Sequence, residues 1–256
     1  MEIFTQMQKT NQDTAKGDIV LVHGSWGSSE MWAQYIQRLP QEGWNIYALD
    51  LRGHGKSQGE ISGATMDDYV ADVHQAVSEY EINDPIVIGH SMGGLVVLMY
   101  AAKHNPKAVV SIDPSPTKEV QGSQEKNYPD TYSPVDAGMP TDPQEVMKSF
   151  PDIPKDMLMK MKDMLGMESG AARSQRKLGI SVPKEALSMP TLFVGGELGE
   201  SVDFGIGIKT AKKLAEYYDK AVIEIAGATH PGTLVGEQAP EAIRKINDWL
   251  TKNVTS

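Results

Sequence analysis

The chain has 256 residues, 40% of them hydrophobic, and a formal net charge of −10. That is enough apolar material for one sizeable core. The charge argues against nucleic acid and anionic membranes, which demand basic patches, and disfavours strongly anionic substrates. The absence of cysteine excludes disulfides, thiolate metal sites and a cysteine nucleophile.

In chain order, residues 1–18 are polar and lack the apolar core of a signal peptide, and no window approaches 18 uninterrupted apolar residues. Neither a signal peptide nor a membrane span is expected, and the expected location is cytoplasmic. Short apolar runs then recur, each bounded by Gly, Pro or Asp: 18–24, 45–53, 85–91, 108–114, 190–196 and 221–227. Most are continuous and β-branched rather than alternating, which is the pattern of parallel strands buried on both faces. Helix-like segments fall between them at 29–39, 66–80, 94–104, 208–219 and 240–253. The alternation predicts an α/β fold, a mostly parallel central sheet flanked by helices.

One interval interrupts the rhythm. Residues 114–144 are rich in Pro, Ser, Thr, Gly and Asp and read as loop, and 156–167 reads as an amphipathic helix with a Met and Leu face. Seven of the 14 methionines fall in 139–167. The division expected is a core of 1–113 and 190–256 with a helical cap at 114–189. The methionine face serves either as ordinary core filler or as an adaptable lining for an apolar ligand.

In open α/β sheets, ligands sit beyond the carboxyl ends of the strands. Three strand ends here carry chemistry. The stretch VIGHSMGG (87–94) fits G-x-S-x-G between a strand and a helix, a turn that lifts a serine hydroxyl clear of the sheet beside a helix N-terminus. Ser91 is the candidate nucleophile; the alternative is a serine that merely caps a helix. The stretch HGSWGSSEMW (23–32) follows the first of the apolar runs. A serine attacking a carbonyl needs N–H donors for the oxyanion. Met92 N–H is one candidate, and Ser25 N–H, or Trp26 N–H, is the second. The stretch GATHPGTLVGEQAP (227–240) follows the last run. His230 is the candidate base, since His74 and His104 fall within helices and His23, His54 and His90 sit in glycine-rich turns. Neither a phosphate-binding loop nor a metal-ligand spacing is present: RGHGKS has Asp50 where the first glycine of a P-loop would stand.

Together HGSWG, LDLRGHGKS (49–57), GHSMGG, the run at 190–195 and THPGTLVGEQAP resemble the α/β-hydrolase superfamily, esterase and lipase branch, over nearly the whole chain. The resemblance implies a serine, acid and histidine in that chain order, the helical cap at 114–189, no cofactor, no metal, and a small-molecule ester as substrate. It implies hydrolysis of a small-to-medium apolar carboxylic ester through an acyl-enzyme. A ligand receptor or pseudoenzyme, or another Ser/His chemistry of the fold such as amidase, perhydrolase, C–C hydrolase or lyase, stays open. The acid is the point of departure. The family places Asp after the strand 191–195, at a position that here is Gly199. Glu200, one residue late with a longer side chain, is the first choice for the acid. Asp113, Asp203, Glu197 and, from the cap, Glu168 are the alternatives. If His230 is the base, activity falls on acidification through its pKa.

Overall fold

The computed structural model describes residues 1–201 and 205–255. In chain order the strands are β1 (Thr5–Gln8), β2 (Gly17–Val22), β3 (Trp44–Leu49), β4 (Ile86–His90), β5 (Ala108–Ile112), β6 (Thr131–Tyr132), β7 (Glu168–Ser169), β8 (Thr191–Gly196) and β9 (Ala221–Ile225). The helices are α1 (Ala33–Arg38), α2 (Met66–Glu79), α3 (Met92–His104), α4 (Lys118–Gln121), α5 (Pro143–Ser149), α6 (Lys155–Met164), α7 (Gly170–Leu178), α8 (Ile208–Tyr218), α9 (Gly232–Val235) and α10 (Ala239–Val254).

Seven strands form one sheet in the order β1-β3-β2-β4-β5-β8-β9. All neighbours are parallel except β1, which pairs antiparallel with β3. The continuous apolar runs explain the centre: β4 and β5 are buried at every residue, because helices cover both faces. One apolar cluster on one face joins Val20, Val22, Val87 and Val109 to α2, α3 and α8. The other joins Ile19, Leu21, Ile88 and Val110 to α1 and α10. The odd and even residues of each strand thus serve opposite cores. β9 is the exception among the expected strands: it is an edge, and Ala221, Val222 and Glu224 are exposed. β1 carries no apolar run and was not expected; it is four mostly exposed residues held by register alone.

Local signals place the helices. Thr65 starts α2 by accepting the Asp68 N–H while the Asp68 carboxylate accepts the Thr65 N–H. Between β5 and β8 lies the insertion, which holds α4, β6, α5, α6, β7 and α7. Residues 114–144 are mostly loop, but contain the single turn α4 and strand β6, which pairs antiparallel with β7 at Tyr132–Glu168. A two-residue strand is too short to leave a period in sequence. Among the described residues no helix is long and apolar enough to cross a membrane.

Candidate active site

Ser91 stands between β4 and α3 at φ 57°, ψ −116°, a left-handed conformation that a serine adopts only when its surroundings impose it. The imposing contacts are backbone: Ser91 N–H donates to the Ile112 carbonyl, and the Ser91 carbonyl accepts from Ser115 N–H and Gly94 N–H. The flanking glycines are steric necessities. A Cβ on Gly89 would stand 2.0 Å from the Gly93 carbonyl oxygen, and one on Gly93 would stand 2.3 Å from that of Val22.

His230 lies in the loop after β9, where its Nε2 is 3.0 Å from Ser91 Oγ. Its Nδ1 is 2.8 Å from the Ile206 carbonyl oxygen. A carbonyl only accepts, so Nδ1 carries the proton and the Nε2 lone pair faces the serine hydroxyl. This is the tautomer a general base requires. Burial, the largest effect, lowers the His230 pKa to about 4 even though the Ile206 carbonyl favours the charged form. His90 Nε2 donates to the His230 carbonyl at 2.9 Å and so fixes the loop that carries the base.

The acid of first choice is corrected. Glu200 does not reach His230: its Oε1 accepts the Thr210 N–H, 3.1 Å away, in the first turn of α8. The loop puts its side chain beside Gly207. Glu197 accepts from Gly227 N–H at the surface. Glu168 is buried against His54 and Tyr69. Asp203 lies outside the described residues. Asp113 alone among the described carboxylates is paired with His230, its Oδ2 4.0 Å from Nδ1, beyond hydrogen-bond length. It accepts instead from Gly196 N–H at 2.8 Å and the Thr233 hydroxyl at 3.1 Å. Burial, opposed by those two donors, raises its pKa well above the usual carboxylate range.

Gly199 explains the arrangement. A Cβ there would sit 2.4 Å from the Ile206 carbonyl oxygen. The space from which an acid at 199 would extend is filled by the very carbonyl that accepts from His230. One main-chain oxygen therefore excludes the side chain and takes over its hydrogen bond. Asp113→Asn is accordingly expected to lower kcat about 10–100-fold, well short of the roughly 10⁴-fold loss when the acid itself holds the tautomer. Glu200→Gln should change it by less than about twofold, since its Oε1 is bonded to the Thr210 N–H and not to the imidazole, and glutamine keeps that acceptor. Steady-state kinetics on both variants decides; a larger loss in Glu200→Gln than in Asp113→Asn would reverse the assignment.

The two candidate oxyanion donors belong to neighbouring residues. Met92 is the first residue of α3, and its N–H has no acceptor within the helix. Ser25 lies next to it, Oγ to Met92 Sδ 3.6 Å. Trp26, at φ 64°, donates through Nε1 to the Tyr132 carbonyl and so ties this loop to the insertion. Ser25, Trp26, Ser91 and His230 line one pocket of about 80 Å³. Its walls include Phe150, Met161 and Leu165 from the insertion and, unforeseen from sequence, Arg173 and Arg176. Potential ligand atoms of His90, Asp113 and His230 lie within 4.8 Å of one another. The His90 Nε2, the His230 Nδ1 and both Asp113 oxygens each have a protein hydrogen-bond partner.

A family model described as alpha/beta hydrolase fold matches residues 19–145. A non-heme haloperoxidase of Rhodococcus erythropolis is 36% identical over 94 residues, 36% of this chain and 34% of the relative. A monoacylglycerol lipase of Mycolicibacterium smegmatis is 35% identical over 94 residues, 35% of this chain and 34% of the relative. The chain thus spans about a third of the length of the curated relatives it matches. The crystal structure of a Paleococcus ferrophilus monoacylglycerol lipase superposes with a TM-score of 0.72 at 22% identity, covering 99% of this chain and 100% of that one. With the parallel sheet, the serine elbow and the histidine loop in place, the chain is a member of the α/β-hydrolase superfamily.

Proposed function

We propose that this chain is a serine hydrolase that cleaves a small carboxylic ester through an acyl-enzyme on Ser91. The observation that carries the reading is the His230 ring, with its proton committed to a carbonyl and its bare nitrogen 3.0 Å from Ser91 Oγ. His230 Nε2 takes the hydroxyl proton as Oγ attacks the ester carbonyl carbon. The Met92 and Ser25 N–H groups hold the oxyanion. The intermediate collapses, the C–O bond to the alcohol breaks, and His230 returns the proton to the departing oxygen. Water, deprotonated by the same nitrogen, then attacks the acyl carbon and releases the acid and Ser91. The helical insertion serves as a cap, supplying the apolar wall of the pocket. The similarity to a lipase over a third of the sequence supports this chemistry.

The test is hydrolysis of p-nitrophenyl butyrate as a function of pH. The active species is neutral imidazole, so kcat/KM stays level as pH falls through the ordinary histidine value of 6.5 and drops only near about 4. A midpoint near 6.5 would mean that the base is another, solvated group. Tight ligand binding without turnover of any ester would support the receptor reading, which Gly199 in place of the acid favours.

A further inference from the structure

Arg176 is 5% exposed, yet it makes no ion pair among the described residues. Its guanidinium meets only neutral oxygens: Nη2 donates to Ser25 Oγ and Tyr132 Oη, both at 3.0 Å, and Nη1 to Ser115 Oγ at 3.4 Å. Its Nε is buried without a partner. Arg173, one turn earlier on α7, lines the same pocket, and its Nε is likewise buried and unpartnered. Arg173 also stands over the rings of Tyr128 and Tyr132. The carboxylate whose field reaches Arg176 is that of Glu168. It faces His54 at 3.6 Å, and its Oε1 accepts from Tyr69 at 2.6 Å and from Ser169 N–H at 2.7 Å.

A buried guanidinium is expensive unless an anion faces it. Here the pocket lining combines these two cations with the apolar side chains of Phe150, Met161, Leu165 and Leu234. A planar fork of N–H donors matches a carboxylate. We infer that Arg176, with Arg173 beside it, binds a carboxylate of the substrate, so that the enzyme acts on esters bearing a free carboxylate a few bonds from the scissile group. This inference rests on the ester-hydrolase reading for its chemistry, but not for its binding.

Two measurements separate them. The first compares kcat/KM for the p-nitrophenyl monoester of glutaric acid with that for p-nitrophenyl pentanoate, of equal acyl length. Wild type should favour the acid ester by about tenfold or more, as a site with unpaired polar groups rejects the analogue that leaves them unpaired. Arg176→Met should abolish that preference and Arg176→Lys restore part of it. The second titrates glutarate, glutaramide and inorganic phosphate into the wild-type protein by calorimetry, which needs neither turnover nor a variant that folds. Glutarate should bind most tightly. No preference for the acid ester together with equal binding of glutarate and glutaramide would overturn the inference, and tighter binding of phosphate would overturn its carboxylate. Selective glutarate binding with no hydrolysis of either ester would uphold the site and sink the hydrolase reading instead.

Discussion

Replacing Ser91 with alanine is expected to lower kcat for p-nitrophenyl butyrate by about a millionfold, to the residual rate that oxyanion donors and binding supply alone. The size follows from the geometry. The bare His230 nitrogen is aimed at one oxygen, Ser91 Oγ, and without it the acyl-enzyme has no atom on which to form. Stability should hardly move. Oγ contributes a single hydrogen bond, worth about 1 kcal/mol, and alanine inherits the same left-handed strain at φ 57°. Loss of turnover at an unchanged melting temperature therefore assigns the nucleophile. Turnover that survives Ser91→Ala would dismiss serine acyl transfer, however well the elbow is formed.

The second large effect concerns how the insertion is fastened. Glu168 is fully buried, and its Oε2 is 3.6 Å from His54 Nε2 in the loop after β3. Its Oε1 accepts from Tyr69 of α2 and from its own neighbour, Ser169 N–H. Around it Ser169 Oγ donates to the Ala64 carbonyl and Met66 N–H to Gln175 Oε1. Glu168→Leu leaves the Tyr69 hydroxyl and the Ser169 amide buried without their acceptor and the His54 ring without the charge it faces. It should cost about 3–5 kcal/mol, or roughly 10 °C in melting temperature for a chain of this size.

The pH dependence of that loss has a definite sign. Burial, the largest effect on each group, lowers the His54 pKa and raises that of Glu168, but their mutual attraction prevails. His54 ends above 6.5, and Glu168 falls from 4.5 to about 2. The histidine's contribution is complete below 6.5 and is lost as pH rises through its raised pKa. The carboxylate's is complete above 4.5 and is lost as pH falls toward about 2. The gap between wild type and Glu168→Leu, followed by thermal melts, should be widest between those two values. A gap that is constant across the range would mean that the two groups are not coupled.

Much of this was legible in the sequence, for local reasons. Parallel strands such as β4 and β5 are written as unbroken apolar runs because both faces are buried. Ser91 and His230 were found because an elbow needs glycines and a base needs a loop after a strand. What escaped was contact between distant segments. Glu200 was preferred for its proximity in sequence to the empty acid position, whereas the loop turns it toward Thr210. No residue letter announces a main-chain acceptor, so the Ile206 carbonyl was invisible. The two arginines were missed because α7 is short, and because a net charge of −10 averages a whole surface and says nothing of one desolvated wall.

Position 199 leaves a last consequence, which concerns inheritance rather than chemistry. An acceptor supplied by the peptide bond has no codon of its own. Any substitution at Ile206 preserves the oxygen that His230 donates to, so replacing the residue that supplies it would not uncover it. In a histidine held by aspartate, one base change can unseat the ring. Here the vulnerable property is the seat of the Ile206 carbonyl against Gly199, which a side chain forced in at 199 would disturb. The arrangement gives up a charge that selection can tune and gains an orientation that no substitution at the residue supplying the carbonyl erases.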